Sequence, residues 1–256
     1  MMLAKPLPHA YAHHDCEFKP PLHRSLEAGF SFIEADIYCL LGRIYVAHDP
    51  QQLRPTKTLK TLYLEPLRLH LRENGGKVFG DGTSLWLFLD VKTPARTSYT
   101  VIDRMLSTYH DMLTSFTAEH TYSKPVTIIL SGNRLPFDLT AQLPLRHTAL
   151  DGRVPDLGVH TNPNVMPVIS DDWRKHFRWM GKGSMPVGEK QKLAEIVETA
   201  HAHGQKLRFW NTPDTDTPER GAVWDTLTEV GVDLINTDDL EGLRVYLGKA
   251  DGQVGS

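Results

Sequence analysis

Short apolar runs alternate with longer amphipathic segments along this chain. The runs are rich in β-branched and aromatic residues, which is typical of strands. They cover residues 9–13, 31–37, 43–47, 85–91, 125–131, 146–150, 166–170, 206–210 and 232–236. Apolar residues spaced three or four positions apart predict helices in the segments between them. These helices cover residues 21–29, 58–73, 97–115, 135–142, 187–203, 220–230 and 239–248.

The segment 187–203 shows the helical pattern clearly. Its apolar residues Leu193, Ile196 and Ala200 share one face, while lysines and glutamates occupy the other. Gly204 marks the end of the helix, and the apolar run KLRFW begins almost at once. Helix and strand are therefore joined by a tight connection here.

This alternation predicts an α/β fold, a (β/α)₈ TIM barrel. About eight strand–helix units match the roughly 250 residues that such a barrel needs, so residues 1–256 are predicted to form one domain. The carboxyl ends of the strands would then surround the mouth, where the active sites of such barrels lie. A doubly wound open sheet gives a similar alternation, but no glycine-rich phosphate loop follows the first predicted strand.

The composition narrows the classes of function. Hydrophobic residues make up 40% of the 256 residues, which is enough for a full core. The formal net charge of −3 predicts no general attraction to nucleic acid or to anionic membranes. No run approaches the ~18 apolar residues of a membrane-spanning helix, and the start MMLAKPLPHA contains no apolar signal core. A soluble chain without an export signal in this sequence is expected, and its location stays open.

Cys16 and Cys39 are the only cysteines, which is too few for a disulfide framework. Both lie close to candidate site residues in the sequence, so a role for a thiol is one alternative. The other is that both are small buried apolar residues.

Glu34 and Asp36 end a predicted strand in the sequence FSFIEADIY. Side chains two residues apart on a strand share a face, so both carboxylates point to the same side. If that side is the mouth of the barrel, they are paired oxygen ligands of the kind that suits Mg²⁺ or Ca²⁺. Asp90, in LFLDVKT, is a plausible third carboxylate. The alternative is a set of solvated acids, or acids paired with Arg24 or Arg43.

His13 and His48 also end apolar runs, and they bracket the two carboxylates of the second strand. Two imidazoles beside a carboxylate–metal centre can act as general base and general acid in an attack at phosphorus. A single histidine is more often an ordinary core or surface residue, so the prediction depends on the joint arrangement. The histidines in helix-like or terminal segments are given no role: His9, His23, His70, His110, His120, His176, His201 and His203.

Two further stretches carry polar or aromatic groups after a predicted strand. Ser131-Gly132-Asn133-Arg134 could bring Arg134 to a phosphate, or it could form the first turn of a helix. Residues 171–180 interleave aromatic and basic side chains. They could form a lid over an organic or lipid substrate, or a packed loop that covers the barrel.

The ordered set H…E-x-D…H-D…D-x-K resembles the PLC-like phosphodiesterase barrels, which include glycerophosphodiester phosphodiesterases and sphingomyelinase D toxins. The segment from AHHDCEFKPP to RIYVAHDP most resembles the branch of proteins like the fungal "altered inheritance of mitochondria protein 6". Further similarity is found in LKTLYLEPL, LFLDVKT, VTIILSGNR, WNTPD and GVDLINTDDL, so it extends over nearly the whole chain.

The resemblance implies a role for each matching residue. His13 and His48 would be the acid–base pair, with His13 as the base, and Glu34, Asp36 and Asp90 would bind a divalent metal ion. Lys92 would contact the phosphate, and it gains importance because little other fixed positive charge is visible near the strand ends.

Three departures from the family pattern bear on the substrate. The arginine that follows the first histidine in classical glycerophosphodiesterases is replaced by His14. The second glutamate of the family is Asp90 here, and Cys16 stands where the branch has tyrosine. Trp210, at the end of KLRFW, would line the mouth, as a tryptophan of the family does.

Together these features predict a divalent-metal-dependent phosphodiester hydrolase that acts on a small-molecule or lipid phosphodiester. One alternative is a metal-dependent amidohydrolase. Only His147 and Asp238 support it, and the His-x-His motif expected on its first strand is missing. Another is a barrel that binds phosphate esters after loss of catalysis. The leaving group, the choice between Mg²⁺ and Ca²⁺, and the oligomeric state stay open.

Overall fold

Eight parallel strands close into a barrel in the computed structural model, which describes residues 3–253, with their side chains up to residue 248. The strands are β1 Leu7–Ala12, β2 Phe30–Leu40, β3 Arg43–Val46, β4 Leu85–Val91, β5 Ser115–Phe116, β6 Thr121–Tyr122, β7 Val126–Gly132, β8 Thr148–Gly152, β9 Val168–Asp172, β10 Lys206–Trp210 and β11 Leu234–Thr237. Each barrel strand pairs with its neighbours in the order β1-β2-β4-β7-β8-β9-β10-β11, and β11 returns to β1. The predicted (β/α)₈ barrel is therefore confirmed.

Helices connect the strands on the outside of the barrel. The helices are α1 His23–Glu27, α2 Glu65–Glu73, α3 Ala95–Leu106, α4 Phe137–Ala141, α5 Trp173–His176, α6 Val187–Ala202, α7 Pro218–Val230 and α8 Leu240–Gln253. Local sequence explains several of their ends. Pro218 begins α7 at a position where its missing N–H is harmless, and Gly231, with φ of 89°, ends it. No helix in the described part of the chain is both long and apolar enough to cross a membrane.

The interior of the barrel is divided into an apolar layer and a polar layer. Seven strands contribute one apolar residue each to the lower layer, and these residues form a core of their own: Tyr11, Phe32, Phe88, Ile129, Ala149, Val168 and Leu234. Two residues further along each strand, the next inward position is polar: His13, Glu34, Asp90, Ser131, Asp151, Ser170 and Asn236. The polar layer therefore faces the mouth at the carboxyl ends of the strands.

The helix predicted over residues 97–115 is too long. Helix α3 ends at Leu106, and a short 3₁₀ turn follows it. Beyond the turn, Leu113 bridges to β7, and Phe116 pairs with Arg146 and packs into the apolar layer of the barrel. The chain leaves the helix because these tertiary contacts need an extended backbone.

The segment 171–180 packs against the barrel as the short helix α5 and a loop, which favours the second of the two alternatives over an aromatic lid. Trp173 is fully buried, and its ring packs on Phe177 and Phe209. Trp179 is also buried, and its backbone carbonyl accepts a hydrogen bond from the indole of Trp173. The aromatic rings therefore stabilise the packing of this segment against the barrel.

Candidate active site

Strand register brings the three predicted carboxylates together at the mouth. Asp36 on β2 lies opposite Asp90 on β4, and Asp90 lies opposite Ser131 on β7. Glu34 sits one inward position below Asp36 on the same strand. One oxygen from each of the three carboxylates lies within 4.8 Å of the others. Such a cluster of hard oxygen donors is suited to Mg²⁺ or Ca²⁺.

Asp36 is the most deeply buried member of this cluster. Its side chain is fully buried, and its Oδ2 accepts a hydrogen bond from Nδ1 of His48 over 3.0 Å. Its other oxygen, Oδ1, lies 2.8 Å from the ammonium of Lys92 but has no hydrogen bond of good geometry. A buried carboxylate needs a counter-charge, and a bound cation would supply one to Oδ1 in addition to Lys92. The residues present therefore fit a divalent cation.

Lys92 bridges two of the carboxylates. Its ammonium donates a hydrogen bond to Oδ2 of Asp90 over 2.5 Å and faces Asp36. Burial lowers the pKa of Lys92, but the two carboxylates outweigh burial and raise it. Burial and the charge of Glu34 raise the pKa of Asp90, partly offset by Lys92. A single lysine thus leaves excess negative charge among these acids.

Glu34 is fixed by two partners inside the barrel. Its Oε2 accepts hydrogen bonds from the hydroxyl of Tyr11 over 2.6 Å and from the guanidinium of Arg208 over 3.0 Å. Burial raises the pKa of Glu34, but Arg208 and His13 outweigh burial and bring it to about 2. Glu34 is therefore ionised and held in one orientation.

Arg208 is a fixed positive charge that was not predicted from sequence. Its guanidinium donates to Ser170 and Asn236 besides Glu34, and it stacks on the ring of Tyr11 at 3.9 Å. The expectation that Lys92 carries nearly all the positive charge near the strand ends is therefore wrong. The signal was the basic residue at an inward position of the apolar strand KLRFW, because a buried charge needs partners.

Substituting Arg208 by methionine is expected to lower the free energy of unfolding by about 3–5 kcal/mol, the usual cost of leaving one partner of a buried ion pair alone. The side chain of Arg208 is 4% exposed, so water cannot replace it. Urea denaturation measures the effect. Arg244→Met is the matched control, because Arg244 pairs with Glu241 on the surface and its loss should change little. Equal losses in the two variants would contradict the structural role of Arg208.

The same ion pair sets a pH dependence. Because the pKa of Glu34 falls from 4.5 to about 2 on folding, its stabilising contribution is complete above about pH 4.5. It is lost as the pH falls towards about 2. In Arg208→Met the pKa of Glu34 in the folded state should rise, because Arg208 is the main group that lowers it. The loss of stability between about pH 4.5 and 2, measured by urea denaturation, should then be smaller than in the parent or reversed.

His13 and His48 each have one ring nitrogen held by a carboxylate. Nδ1 of His13 lies 3.0 Å from Oδ1 of Asp238, and Nδ1 of His48 lies 3.0 Å from Oδ2 of Asp36. Carboxylates only accept, so each Nδ1 donates, and Nε2 is the nitrogen left for proton transfer. Burial lowers the pKa of His13, but Asp238 and Glu34 outweigh it and raise the pKa. A raised pKa favours an acid, whereas the sequence-based prediction made His13 the base.

His14 occupies the space between the two predicted catalytic rings. Its ring centroid lies 3.5 Å from that of His13 and 4.2 Å from that of His48. Burial and the charge of His13 lower the pKa of His14, so it is a poor substitute for the arginine that the family has here. With Asp36 and His48 it forms a second group whose donor atoms lie within 4.8 Å of one another.

Asp15 anchors the loop that carries these two histidines. It is fully buried and accepts hydrogen bonds from the backbone N–H of Leu22 and the hydroxyl of Tyr63, both over 2.7 Å, and from Ser25. Burial raises the pKa of Asp15, and these hydrogen bonds oppose the rise. This role could not be predicted from the sequence, since the three donors are 7, 48 and 10 residues away.

Two of the three predicted substrate contacts, Arg134 and Trp210, lie apart from the carboxylate cluster. The guanidinium of Arg134 donates to the backbone carbonyl of Asp151 and pairs with Asp156. Trp210 is half-buried at the end of β10, with the ammonium of Lys175 5.8 Å from its ring. Within the described part of the chain, neither has a hydrogen bond or ion pair with His13, His48 or the three clustered carboxylates, and their roles at the substrate stay predictions.

A second polar group lies across β7 from Asp90. The hydroxyl of Ser131 donates to Asp151, and the guanidinium of Arg153 contacts both of them. Asp151 is fully buried, and its Oδ1 has no partner among the described residues. Arg153 is a cation at the mouth that was not predicted from sequence.

His147 does not support the amidohydrolase alternative. It directly precedes β8, at the amino end of that strand and so at the opposite end of the barrel from the mouth. Asp238, the other residue that supported an amidohydrolase, is hydrogen-bonded to His13.

Both cysteines are free and half-buried, and they pack against the core. The thiol of Cys16 lies 3.7 Å from Oδ2 of Asp36. Burial and the charge of Asp36 raise the pKa of Cys16 to about 12. A thiol with such a pKa stays protonated, so Cys16 serves as a small apolar residue beside the site.

Comparison with known proteins identifies relatives over most of the chain. A family model described as "AIM6-like phosphodiesterase domain" matches residues 4–149. Altered inheritance of mitochondria protein 6 from Eremothecium gossypii is 31% identical, over 94% of this chain and 69% of that protein. Its homolog from Arthroderma benhamiae is 26% identical over 87% and 76% of the two chains. The protein of the same name from Saccharomyces cerevisiae is 27% identical over 92% and 69%.

Proposed function

The chain belongs to the family of AIM6-like phosphodiesterase domains, and on this basis we propose that it hydrolyses phosphodiesters with a bound Mg²⁺ or Ca²⁺ ion. The observation that carries the proposal is the cluster at the mouth. Glu34, Asp36 and Asp90 converge there, and His48 is hydrogen-bonded to one of them. Carboxylates that bind a cation beside paired imidazoles are suited to displacement at phosphorus.

Glu34, Asp36 and Asp90 would hold the ion. The buried oxygen Oδ1 of Asp36, which faces the ammonium of Lys92 without a well-aligned hydrogen bond, and the excess negative charge of the cluster both favour a cation there. When bound, such an ion offsets the negative charge of the phosphate group and of the transition state. Oδ2 of Asp36 also orients His48, so this residue would couple the metal site to the acid–base group.

His13 and His48 would transfer the protons. One Nε2 takes a proton from the attacking hydroxyl, which belongs to water or to the substrate itself. The other Nε2 donates a proton to the leaving alkoxide. Each ring has a carboxylate partner at Nδ1, so either histidine could be the general base while the other is the general acid.

Lys92→Met is expected to lower kcat/KM about tenfold to hundredfold, the loss that corresponds to one charge-assisted hydrogen bond of roughly 1.5–3 kcal/mol. The ammonium lies between Asp36 and Asp90, where it can reach a phosphoryl oxygen beside the ion. Metal affinity should stay equal or improve, because a competing cation has been removed.

Kinetics at saturating metal, beside a metal titration, measure both effects. Lys190→Met is the control, since Lys190 pairs with Glu229 on the surface. If Lys92 only balances charge, the variant will be less stable but will keep its kcat/KM.

A panel of substrates tests the proposed function. The phosphodiesters are glycerophosphocholine, a lysophospholipid, sphingomyelin and bis-p-nitrophenyl phosphate, and the monoester p-nitrophenyl phosphate is the control. We expect hydrolysis of at least one diester and a much lower rate for the monoester. Binding of diesters without turnover would instead identify a barrel that has lost catalysis, and preference for the monoester would contradict the proposed class.

A further inference from the structure

The turn between β2 and β3 carries a leucine in an unusual position. Leu40 pairs with Arg43, so Leu41 and Gly42 form a two-residue hairpin loop. Both have positive φ, 50° and 74°, as in a type I′ turn, where asparagine, aspartate or glycine is the usual first residue. Leu41 is also 100% exposed. Backbone preference and the hydrophobic effect therefore both disfavour leucine here, which indicates a role outside the fold.

Leu41 belongs to an apolar surface. The neighbouring Leu40 is 39% exposed. A shallow groove of about 240 Å³ lies beside the turn and is lined by Leu40, Leu41, Tyr45, Leu53, Arg54 and Pro55. We call these residues the hairpin surface. Arg54 is its only charged residue, so the groove offers little to a polar ligand.

The chain segment that carries the hairpin surface has an excess of positive charge. Within residues 38–57 the cations are Arg43, Arg54 and Lys57, and the only acid is Asp49. One further acid, Glu17, contacts this segment through Gln52. All three cations are exposed, and none forms an ion pair with a carboxylate in the described part of the chain. The chain as a whole has a net charge of −3, so the excess of positive charge in this segment differs in sign from the net charge of the chain. It complements an anionic partner.

The hairpin rises from the candidate active site. Leu41 follows Asp36 by five residues on one continuous strand and turn, which is at most about 17 Å. The hydroxyl of Tyr38 donates to the backbone carbonyl of His48 over 3.2 Å, which ties the hairpin to the loop that carries this histidine. The exposed leucine therefore stands on the rim of the mouth.

We propose that the hairpin surface docks on an anionic phospholipid bilayer, with Leu41 inserted among the headgroups. An apolar tip flanked by unpaired cations is the pattern of an interfacial anchor. Docking would place the mouth at the plane that holds the phosphodiester groups of the lipids. The assignment of lipids as substrates rests on the proposed function, whereas the docking itself does not.

Vesicle cosedimentation in chelator tests the docking without turnover. The vesicles are phosphatidylcholine alone and phosphatidylcholine mixed with phosphatidylserine. The protein should bind the mixed vesicles more tightly, and Leu41→Asn should weaken that binding about tenfold or more, since it removes one inserted leucine. Asparagine suits the turn, so the fold should be kept. Val159→Asn, at another exposed apolar residue, should bind like the parent protein.

A charge variant tests the electrostatic part. Arg43→Gln combined with Arg54→Gln should remove the preference for phosphatidylserine. Hydrolysis of bis-p-nitrophenyl phosphate in solution should be unaffected by Leu41→Asn, which separates docking from catalysis. Equal vesicle binding by Leu41→Asn and the parent would overturn the proposal. So would a concentration-dependent dimer that Leu41→Asn abolishes, because the hairpin surface would then contact a second copy of the chain.

Discussion

Replacing His13 or His48 by alanine is expected to slow phosphodiester turnover about 10²–10⁴-fold, the usual contribution of general acid–base catalysis. Each ring has its Nδ1 held by a carboxylate and its Nε2 left for proton transfer. Both side chains are partly exposed at the mouth, 22% for His13 and 35% for His48. Their loss should therefore change the free energy of unfolding little. Steady-state kinetics, together with urea denaturation, separate the two effects.

The double variant tests whether the two histidines act together in catalysis. Residues that act as a unit are not additive, so His13→Ala with His48→Ala should lose much less than the product of the two single losses. His120→Ala is the control, since His120 is exposed and far along the chain from the site residues. Turnover close to that of the parent in either single variant would show that this histidine is structural.

Asp36→Asn is expected to abolish most of the activity by weakening metal binding. The substitution keeps the size of the side chain but removes the charge of the one acid that faces both the cluster and His48. In the parent, Mg²⁺ should raise the melting temperature by mass action, because an ion held by the three carboxylates would bind the folded state alone. In Asp36→Asn this rise should be largely lost.

Differential scanning fluorimetry over a series of Mg²⁺ concentrations measures this effect. Asp81→Asn is the control, because Asp81 caps an exposed turn at Thr83 and should leave the Mg²⁺ response intact. An unchanged response in Asp36→Asn would place the ion elsewhere.

The ends of the strands could be predicted where apolar residues reach them. The strands 85–91 and 206–210 were predicted with the bounds that the structure gives them. The strand predicted over 146–150 is observed as Thr148–Gly152, and the one over 166–170 as Val168–Asp172. Both shifts have one cause. Apolar residues marked the lower part of each strand, whereas the upper part is polar because it lines the mouth.

The candidate site could be predicted in part for a related reason. Glu34 and Asp36 share a strand, so their common face followed from the period of two alone. Their closeness to Asp90 needed the register of β2 against β4, which the family pattern supplied and the structure now provides. Asp238 was missed as a partner of His13 because it follows β11, which lies beside β1 only after the barrel closes. Arg208 was missed because it reaches Glu34 from β10, a strand that does not pair with β2.

Metal dependence tests the central claim most directly. The protein is treated with chelator and dialysed, and hydrolysis of bis-p-nitrophenyl phosphate is followed while Mg²⁺ or Ca²⁺ is added back. We expect no activity in chelator and a saturable return with one of the two ions, since Glu34, Asp36 and Asp90 present the oxygen donors that such ions prefer. Full activity in chelator after exhaustive dialysis would contradict a metal-dependent phosphodiesterase.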